Sequence, residues 1–301
     1  MAEVNTQVTL NGANFIAVIH TAGQKYRVVK SVDGKFFAIP KVATISDVLQ
    51  LKLSEFKSLF EQAGSEEVVG SLTAPVAADS EIWGAGVTYQ RSRDARKEES
   101  GIPDVYQLVY EADRPELFFK ATARRTVGTN ANVGIRADAL TSVPEPEVAI
   151  VVNKYRELIG LTICNDMTSR NIEGENPLYL SQAKIYYGSN ALGPMIRPIW
   201  EIADHAKLAI DAKIERGANI IWQAQTSLAQ LNRSFTDLIE YLFRCQSFPV
   251  GAILSTGTGI VPPLDISLAD GDVVTINVES VGTLVNKVVT TPVDINEKEN
   301  L

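Results

Sequence analysis

The sequence predicts an α+β protein, mostly β, with a small α+β N-terminal domain over residues 1–75 and a larger domain over residues 76–301. Three observations predict this class. Short segments typical of β-strands, separated by turn residues, follow one another along the chain. Clear helical periodicity occurs in two stretches, at residues 46–60 and 234–243. A stretch of small residues and proline at 71–80 indicates a linker between the two domains.

The N-terminal domain begins with three predicted strands. Residues 15–19 and 25–29 are rich in β-branched and other apolar side chains, as strands are. Asp33-Gly34 is a hairpin turn signal that leads into a third strand at residues 35–39. We find no pattern of catalytic side chains in this part of the chain, so we expect it to be structural.

Two helices are predicted from their caps and their apolar faces. Ser46 is expected to cap a helix that runs to Phe60. Ser234, followed three residues later by Asp237, resembles a capping box and begins a second helix. The first helix presents an apolar stripe of Val48, Leu49, Leu53, Phe56 and Phe60. The second presents one of Phe235, Leu238, Ile239 and Leu242.

Composition limits the classes of function. The net charge of −8 over 301 residues argues against nucleic acid and anionic membranes as partners. The sequence has no apolar run long enough for a transmembrane helix, and Met1–Thr6 lacks the features of a signal peptide. Two cysteines do not make a disulfide framework, so we expect a cytoplasmic protein. The two histidines, His20 and His205, lie in stretches that indicate structural roles, which argues against histidine-based catalysis.

A β-hairpin is predicted near the middle of the chain. Apolar runs at residues 148–152 and 158–164 flank a polar turn at 154–157. If the turn is centred between Tyr155 and Arg156, the numbers of paired residues sum to 311.

This register brings three carboxylates together. Glu145 and Glu147 are two residues apart, so both project from one face of a strand. Glu145 then lies opposite Asp166, and Glu147 lies opposite Cys164. Like charges placed opposite each other repel, and a hard divalent cation such as Mg²⁺ would hold them together. The alternative is a surface hairpin with three solvated carboxylates.

Three other stretches carry candidate polar groups. Glu116 and Lys120 bracket the apolar run at 117–119, either as ordinary strand ends or at the mouth of one cleft. Lys184 follows a polar loop and is either solvated or able to neutralise a carboxylate or enolate. The Thr-Gly-Thr-Gly stretch around Thr258 is either an ordinary turn or a place where backbone N–H groups approach a carboxylate.

Taken together, these stretches resemble the fumarylacetoacetate hydrolase superfamily from about Trp83 to Val289. The motifs that carry the resemblance are Pro-Glu-Leu-Phe-Phe-Lys at 115–120, Pro-Glu-Pro-Glu at 144–147, Cys-Asn-Asp-Met-Thr-Ser-Arg at 164–170, Ala-Leu-Gly-Pro at 191–194, Thr-Gly-Thr-Gly at 256–259 and Gly-Asp at 271–272. The resemblance implies a mixed β-roll catalytic domain over residues 76–301, paired as a homodimer or a dimer of dimers. It also implies that Glu145, Glu147 and Asp166 hold Mg²⁺, or Mn²⁺ or Ca²⁺, which chelates a 2-keto acid.

One departure from the family pattern narrows the chemistry. Hydrolases of the superfamily commonly carry Gly-x-Asn-Tyr-x-x-His-x-x-Glu, in which the His–Glu pair activates water. In this chain the motif begins at Gly86, Ser92 stands at the histidine position and Ala95 stands at the glutamate position. Hydrolytic cleavage of carbon–carbon bonds is therefore disfavoured.

The stretches at 111–120 and 174–184 look more like a branch that contains the 2-keto-3-deoxy-D-arabinonate dehydratases. This implies a Mg²⁺-dependent lyase that converts a 2-keto-3-deoxy sugar acid, expected to be the pentonate of pentose catabolism, into 2,5-dioxopentanoate and water. Glu116 and Lys184 would be the catalytic residues. The candidate substrate-binding residues are Thr88, Arg91, Lys120, Lys184 and Thr258.

Two alternatives remain open at this point. One is an acylpyruvate hydrolase or an oxaloacetate decarboxylase of the same superfamily. The other is a non-enzymatic member with a degraded site, against which the intact Glu145, Glu147 and Asp166 argue. A hexonate substrate in place of the pentonate also remains open.

Overall fold

The computed structural model describes residues 12–23, 25–99 and 103–293. Strands outnumber helices throughout, and the predicted α+β, mostly β class is confirmed. The N-terminal elements are β1 (Asn14–His20), β2 (Tyr26–Val32), β3 (Lys35–Ala38), α1 (Ile45–Leu49), α2 (Leu53–Gln62) and β4 (Ser71–Leu72). The next elements are β5 (Glu81–Gly86), α3 (Gln90–Glu99), α4 (Pro103–Glu111), β6 (Glu116–Thr122), β7 (Thr126–Val127), β8 (Asn132–Arg136), β9 (Ser142–Val143), β10 (Pro146–Val152), β11 (Leu158–Asp166) and β12 (Thr168–Ser169). The last are α5 (Arg170–Glu175), α6 (Leu180–Lys184), β13 (Asn190–Pro198), β14 (Ala209–Arg216), β15 (Asn219–Ser227), α7 (Phe235–Leu242), β16 (Ala252–Thr258), β17 (Val273–Val278) and β18 (Gly282–Thr291).

Two large mixed sheets form the body of the described chain. The larger has the strand order β3-β2-β1-β13-β11-β10-β16-β5-β6, with β4 paired to β1 and β7 paired to β13. The smaller has the order β15-β14-β17-β18-β8. Most neighbours are antiparallel, but β7 runs parallel to β13, β5 to β16 and β8 to β18.

The central strand β10 is buried on both faces, which explains its unbroken apolar run. Val148 and Ile150 pack towards the smaller sheet, in one core cluster. Ala149 and Val151 pack towards α1 and α2, in a second cluster. Because side chains alternate along a strand, Glu147 shares the face of Ala149 and Val151.

The hairpin of β10 and β11 has the predicted register. Glu147 pairs with Cys164, so the numbers of paired residues sum to 311. The backbone N and O atoms of Glu145 bond to the O and N atoms of Asp166, at 3.2 and 3.0 Å. A register shift occurs only beyond Val151, close to the turn. The placement of the three carboxylates on one face is therefore confirmed at the backbone level.

The predicted helix over residues 46–60 is wrong in two respects. Thr44, not Ser46, caps the first helix, because its hydroxyl accepts a hydrogen bond from the backbone N–H of Asp47. The helix also ends at Leu49 and restarts at Leu53 as a second helix.

The turn of the β10–β11 hairpin accounts for this break. The backbone N–H of Lys154 donates to the carbonyl of Leu49 at 2.9 Å. The amide of Asn153 donates to the carbonyl of Leu51 at 2.9 Å, and the carboxylate of Glu157 accepts from the N–H of Leu53 at 2.7 Å. Tertiary hydrogen bonds thus replace the helical ones, and the apolar stripe still packs into the core.

Other local predictions agree with the structure. Asp33 and Gly34 have φ angles of 47° and 76°, as the hairpin turn between β2 and β3 requires. The hydroxyl of Ser234 caps α7 by accepting from the N–H of Asp237 at 3.0 Å. Part of the expected linker forms β4, which pairs with β1. The division into two domains near residue 75 stays a prediction. Among the described helices, none has the length and apolar character needed to span a membrane.

Candidate active site

Three buried carboxylates lie at the open end of the β10–β11 hairpin. Glu145, Glu147 and Asp166 each offer one oxygen atom, and these atoms lie within 4.8 Å of one another. Their exposed fractions are 3%, 2% and 1%. The alternative of three solvated surface carboxylates is therefore wrong. A set of hard oxygen donors this close together fits a divalent cation such as Mg²⁺.

Three cations surround this carboxylate trio (Glu145, Glu147 and Asp166). The Nζ of Lys184 lies 2.6 Å from Oε2 of Glu145 and 3.1 Å from Oδ2 of Asp166. The Nζ of Lys120 lies 2.5 Å from Oδ1 of Asp166. The guanidinium of Arg96 contacts Oε1 of Glu145. All three cations are buried, so their charges are screened little by solvent.

Among the described residues, the cations contact Glu145 and Asp166 and not Glu147. The pKa values of the two glutamates differ accordingly. Burial alone would raise the pKa of Glu145, but Arg96 and Lys184 lower it to about 2. Burial, together with the charges of Asp166 and Glu145, raises the pKa of Glu147 to about 8. Despite its burial, Lys184 has a raised pKa because Asp166 and Glu145 stabilise its charged form.

Glu147 is held by neutral donors. The hydroxyl of Ser255 and the backbone N–H of Gly257 both donate to its Oε2, the latter at 2.8 Å. Gly257 has a φ of 92°, and a Cβ atom there would lie 2.0 Å from Oγ1 of Thr88. Glycine is thus required where this backbone approaches the carboxylate. The predicted approach of backbone N–H groups to a carboxylate exists, and the carboxylate is Glu147.

A small cavity of about 40 Å³ opens above the trio. Its residues come from β5, the helical pair α3–α4, β6, the α5–α6 segment and the end of β16. The polar and aromatic lining residues other than the trio are Ser92, Arg96, Tyr106, Glu116, Phe118, Glu173, Lys184 and Thr258. No histidine lines the cavity among the described residues, and His20 and His205 instead pack beside Tyr26 and Phe235.

Glu116 lies at the start of β6, in the wall of this cavity. Its carboxylate fits against Gly86 on the neighbouring strand, where a Cβ atom would lie 2.1 Å from Oε2. Burial raises the pKa of Glu116, although the charges of Arg96 and Lys184 oppose the shift. A carboxyl group with a raised pKa beside the carboxylate trio has the properties of a general base or acid.

The structure brings together six of the predicted site residues and keeps three out of the cavity. Glu116, Lys184 and Thr258 line it together with the trio. The hydroxyl of Thr258, however, donates to the carbonyl of Pro146 at 2.9 Å.

The other three candidate substrate-binding residues lie elsewhere. Thr88 donates its hydroxyl to the carbonyl of Thr256 at 2.7 Å. Arg91 pairs with Glu98 on the outer side of α3, at 3.3 Å. Lys120 is completely buried behind Asp166. Direct substrate contacts by these three residues stay predictions that this geometry does not support, because none of them lines the cavity.

Two charged residues of the cavity were not identified from the sequence. Arg96 and Glu173 form an ion pair of 2.8 Å, and both are at least nine-tenths buried. Arg96 lies one helical turn after Ser92, on the same face of α3. Helical periodicity counted from the Ser92 position would therefore have identified it, whereas nothing local to Glu173 indicates its partner.

We expect Mg²⁺ binding to release about one proton at pH 7. Glu147 is protonated below a pH of about 8 and must ionise to bind a cation. The apparent affinity should therefore rise about tenfold per pH unit up to this pKa and level off above it. Calorimetric titration of chelator-treated protein in buffers of different ionisation enthalpy counts the released protons. Binding without proton release at pH 7 would contradict this pKa for Glu147.

Comparisons with known proteins identify the family and agree with the fold. Residues 81–289 match the family described as fumarylacetoacetate (FAA) hydrolase C-terminal, close to the span expected from the motifs. A "Probable 2-keto-3-deoxyxylonate dehydratase" from Haloferax volcanii is 42% identical over 259 residues, 85% of this chain and 88% of the relative. A "2-dehydro-3-deoxy-D-arabinonate dehydratase" from Saccharolobus solfataricus is 35% identical over 267 residues, 81% of this chain and 89% of the relative.

A solved structure extends this agreement to three dimensions. It is described as 2-keto-3-deoxy-D-arabinonate dehydratase complexed with magnesium and 2,5-dioxopentanoate. It has a TM-score of 0.79 and 31% sequence identity, and the match covers 93% of this chain and 99% of that one. The mixed-sheet architecture expected from the motifs is thereby confirmed.

Proposed function

The chain belongs to the fumarylacetoacetate hydrolase family, and from this we propose that it is a Mg²⁺-dependent dehydratase of a 2-keto-3-deoxy sugar acid. One observation carries the proposal. A carboxylate trio suited to a divalent cation shares a histidine-free cavity with Glu116, whose pKa is raised by burial. The names of the two similar relatives and of the magnesium-containing structure support the same reaction.

The relatives' names lead to one substrate when the xylonate, like the named arabinonate, belongs to the D series. Oxidation at C2 and loss of the C3 hydroxyl leave C4 as the only stereocentre. D-Arabinonate and D-xylonate have the same configuration at C4, so their 2-keto-3-deoxy derivatives are the same compound. We therefore propose 2-keto-3-deoxy-D-arabinonate as the substrate, and 2,5-dioxopentanoate and water as the products.

The residues of the cavity divide the reaction between them. Glu145, Glu147 and Asp166 would hold the metal, which supplies Lewis-acid polarisation of a 2-keto acid. Glu116 acts as the base that removes a proton from C3. Lys184, which is kept protonated by its carboxylate neighbours, stabilises the negative charge that develops on the keto oxygen.

The atoms and electrons of the elimination balance without any further reactant. Glu116 takes a proton from C3, the C3=C4 double bond forms and the C4–O bond breaks. Return of a proton to the departing C4 oxygen gives water. One hydrogen on C5 and the hydrogen on its oxygen then move to C3 and C4, which converts the remaining allylic alcohol into the aldehyde of 2,5-dioxopentanoate.

The absence of a water-activating pair favours elimination over hydrolysis. Ser92 and Ala95 lie on α3 where hydrolases of the family carry histidine and glutamate, and Ser92 lines the cavity. A serine with no histidine beside it in the cavity is a poor general base at neutral pH.

Incubation with 2-keto-3-deoxy-D-arabinonate and Mg²⁺ tests the proposal directly. We expect 2,5-dioxopentanoate by proton NMR, and no product after treatment with a chelator. Acetylpyruvate and oxaloacetate are the comparison substrates. Faster turnover of either one would make the protein a hydrolase or decarboxylase instead, and no product from the sugar acid at micromolar enzyme would overturn the dehydratase assignment.

The assembly and the cellular location are also part of the proposal. We propose a homodimer, alone or paired into a dimer of dimers, on the resemblance to the family. Sedimentation equilibrium at several protein concentrations tests this, and a monomer at micromolar concentration would contradict it. We also propose a cytoplasmic location, which both free cysteines and the acidic composition support.

A further inference from the structure

Arg96 lies between a carboxylate of the metal-binding trio and a carboxylate outside it. One nitrogen of its guanidinium contacts Oε1 of Glu145, and the other lies 2.8 Å from Oε2 of Glu173. The side chain of Arg96 is only 8% exposed and lines the cavity. It reaches the trio from α3, whereas Glu173 belongs to α5. The arginine therefore connects two cavity walls at the edge of the metal site.

Both oxygens of Glu145 are in contact with cations. Arg96 contacts Oε1, and Lys184 lies 2.6 Å from Oε2. A divalent cation bound by the trio would add two positive charges close to both groups. Repulsion between a unit charge and a divalent cation about 5 Å away acts even in water and is stronger in a buried site. Arg96 and a metal ion thus compete for Glu145.

If a metal ion displaced Arg96 from Glu145, the ion pair with Glu173 would keep the guanidinium at the edge of the cavity. This ion pair uses the guanidinium nitrogen that does not contact Glu145 in the ion pairs of the trio. The guanidinium would remain beside the metal site with one edge held by Glu173. Its other edge would then lack the carboxylate that it contacts in the structure, and a planar guanidinium donates best to another carboxylate.

Two of the candidate substrate-binding residues are poorly placed to bind the substrate carboxylate. Arg91 pairs with Glu98 outside the cavity, and the hydroxyl of Thr258 donates to a backbone carbonyl. Among the described residues, Arg96 and Lys184 are the only arginine or lysine side chains that line the cavity. Lys184 already contacts two members of the trio and is assigned to the keto oxygen in the proposed reaction, which leaves Arg96 as the cation best placed for the substrate carboxylate.

We propose that Arg96 is the binding residue for the substrate carboxylate and that metal binding makes it available by releasing it from Glu145. The inference rests on the proposed function for the identity of the substrate as a 2-keto acid. Glu173 is the positioning residue, because it holds the guanidinium at the cavity edge. The keto-acid carboxylate thus replaces Glu145 as the partner of Arg96.

Metal affinity in the absence of substrate provides the first test, measured by calorimetry with MgCl₂. Arg96→Gln should bind Mg²⁺ roughly tenfold more tightly than the wild-type protein, because a competing charge is removed. Arg96→Lys, which keeps the charge, should differ little. Weaker binding by Arg96→Gln would mean that Arg96 only orients Glu145, and would overturn the proposal.

Ligand affinity of the Mg²⁺-loaded protein provides the second test. 2-Oxobutyrate should bind roughly 10- to 100-fold more weakly to Arg96→Gln, because a charge-assisted hydrogen bond is lost. Its amide, 2-oxobutyramide, lacks the carboxylate and should bind equally to both proteins. Equal losses for the acid and the amide, or no loss for the acid, would overturn the role of Arg96.

Two further variants serve as controls for these tests. If Arg96→Gln is unstable because Glu173 loses its ion pair, the double variant Arg96→Gln/Glu173→Gln removes both charges of the pair. The double variant should show the same changes in affinity as Arg96→Gln. Lys97→Gln removes a positive charge from the next position of α3, which does not line the cavity, and should change neither affinity. Neither test needs turnover of a sugar acid, so the role of Arg96 is decided even if the dehydratase assignment fails.

Discussion

Glu147→Gln is expected to lower the affinity for Mg²⁺ by more than about 100-fold, because even residues behind metal ligands contribute 10- to 100-fold. The metal-depleted protein should keep its stability. At pH 7 the carboxyl of Glu147 is protonated, since burial and two neighbouring carboxylates raise its pKa to about 8. Glutamine has nearly the same shape and no charge, and its oxygen still accepts from Ser255 and Gly257.

Glu145→Gln is expected to differ from Glu147→Gln in stability. Glu145→Gln should also lose Mg²⁺, but it removes the carboxylate shared by the buried Arg96 and Lys184. Removing one carboxylate from this buried ion-pair network is destabilising, by less than the ~3–5 kcal/mol of a fully unpaired buried charge, because Arg96 keeps Glu173 and Lys184 keeps Asp166. Thermal unfolding of chelator-treated proteins should therefore separate the two variants, with Glu145→Gln the less stable.

Calorimetry and thermal unfolding decide the outcome together. Glu61→Gln is the matched control, because Glu61 lies on the surface of α2 in a 3.9 Å ion pair that is mostly exposed. It should change neither metal affinity nor stability appreciably. If Glu147→Gln bound Mg²⁺ as tightly as the wild-type protein, Glu147 would not be a ligand.

Glu116→Gln is expected to lower turnover by about 10²- to 10⁴-fold, the usual contribution of a general acid or base. Mg²⁺ affinity should be retained, since Glu116 lies in the cavity wall outside the trio. The amide fills the same space beside Gly86 but takes no proton at C3. The effect should therefore appear in kcat more than in KM.

Isotope exchange isolates the proton-transfer step from elimination. In D₂O the Mg²⁺-loaded wild-type protein should exchange the C3 protons of 2-oxobutyrate, which has no C4 hydroxyl to lose. Glu116→Gln should not, whereas Glu81→Gln, an exposed glutamate at the other end of the β5–β6 pair, should exchange normally. Unchanged exchange in Glu116→Gln would assign the base to another residue.

The pH dependence of this exchange follows from the pKa of Glu116. Its carboxyl must be ionised to act as a base, and burial raises its pKa. The rate should therefore fall on the acidic side at a higher pH than an exposed glutamate would give. Measurements at saturating Mg²⁺ separate this effect from the ionisation of Glu147. An acidic limb at the pKa of an ordinary glutamate would contradict the burial argument.

The hairpin shows why part of the site was predictable. Glu145, Glu147 and Asp166 lie on two strands joined by a short turn, so the alternation of side chains and one register place them on one face. The resemblance to the family then placed Glu116 and Lys184 with them, and both line the cavity. Arg96 and Glu173 were not predicted, because their ion pair joins α3 to α5 and no local sequence pattern connects these two helices.

The same distinction applies to the N-terminal helices. The apolar stripe that contains Phe56 and Phe60 was readable from its periodicity, and both residues are buried. The break between Leu49 and Leu53 could not be predicted, because the hydrogen bonds that stabilise it come from the turn near Asn153, about a hundred residues away in sequence.

The sequence by itself determined the mostly β class, the hairpin and its three carboxylates, because these depend on the period of a strand and on neighbours in the chain. The tertiary structure alone decided how those carboxylates are neutralised. Arg96, Lys120 and Lys184 come from three distant elements, and their distances to Glu145 and Asp166 depend on how those elements pack. Coulomb interactions in a buried site change steeply with such distances. The protonation of Glu147 and the availability of Arg96 are therefore properties of the folded chain.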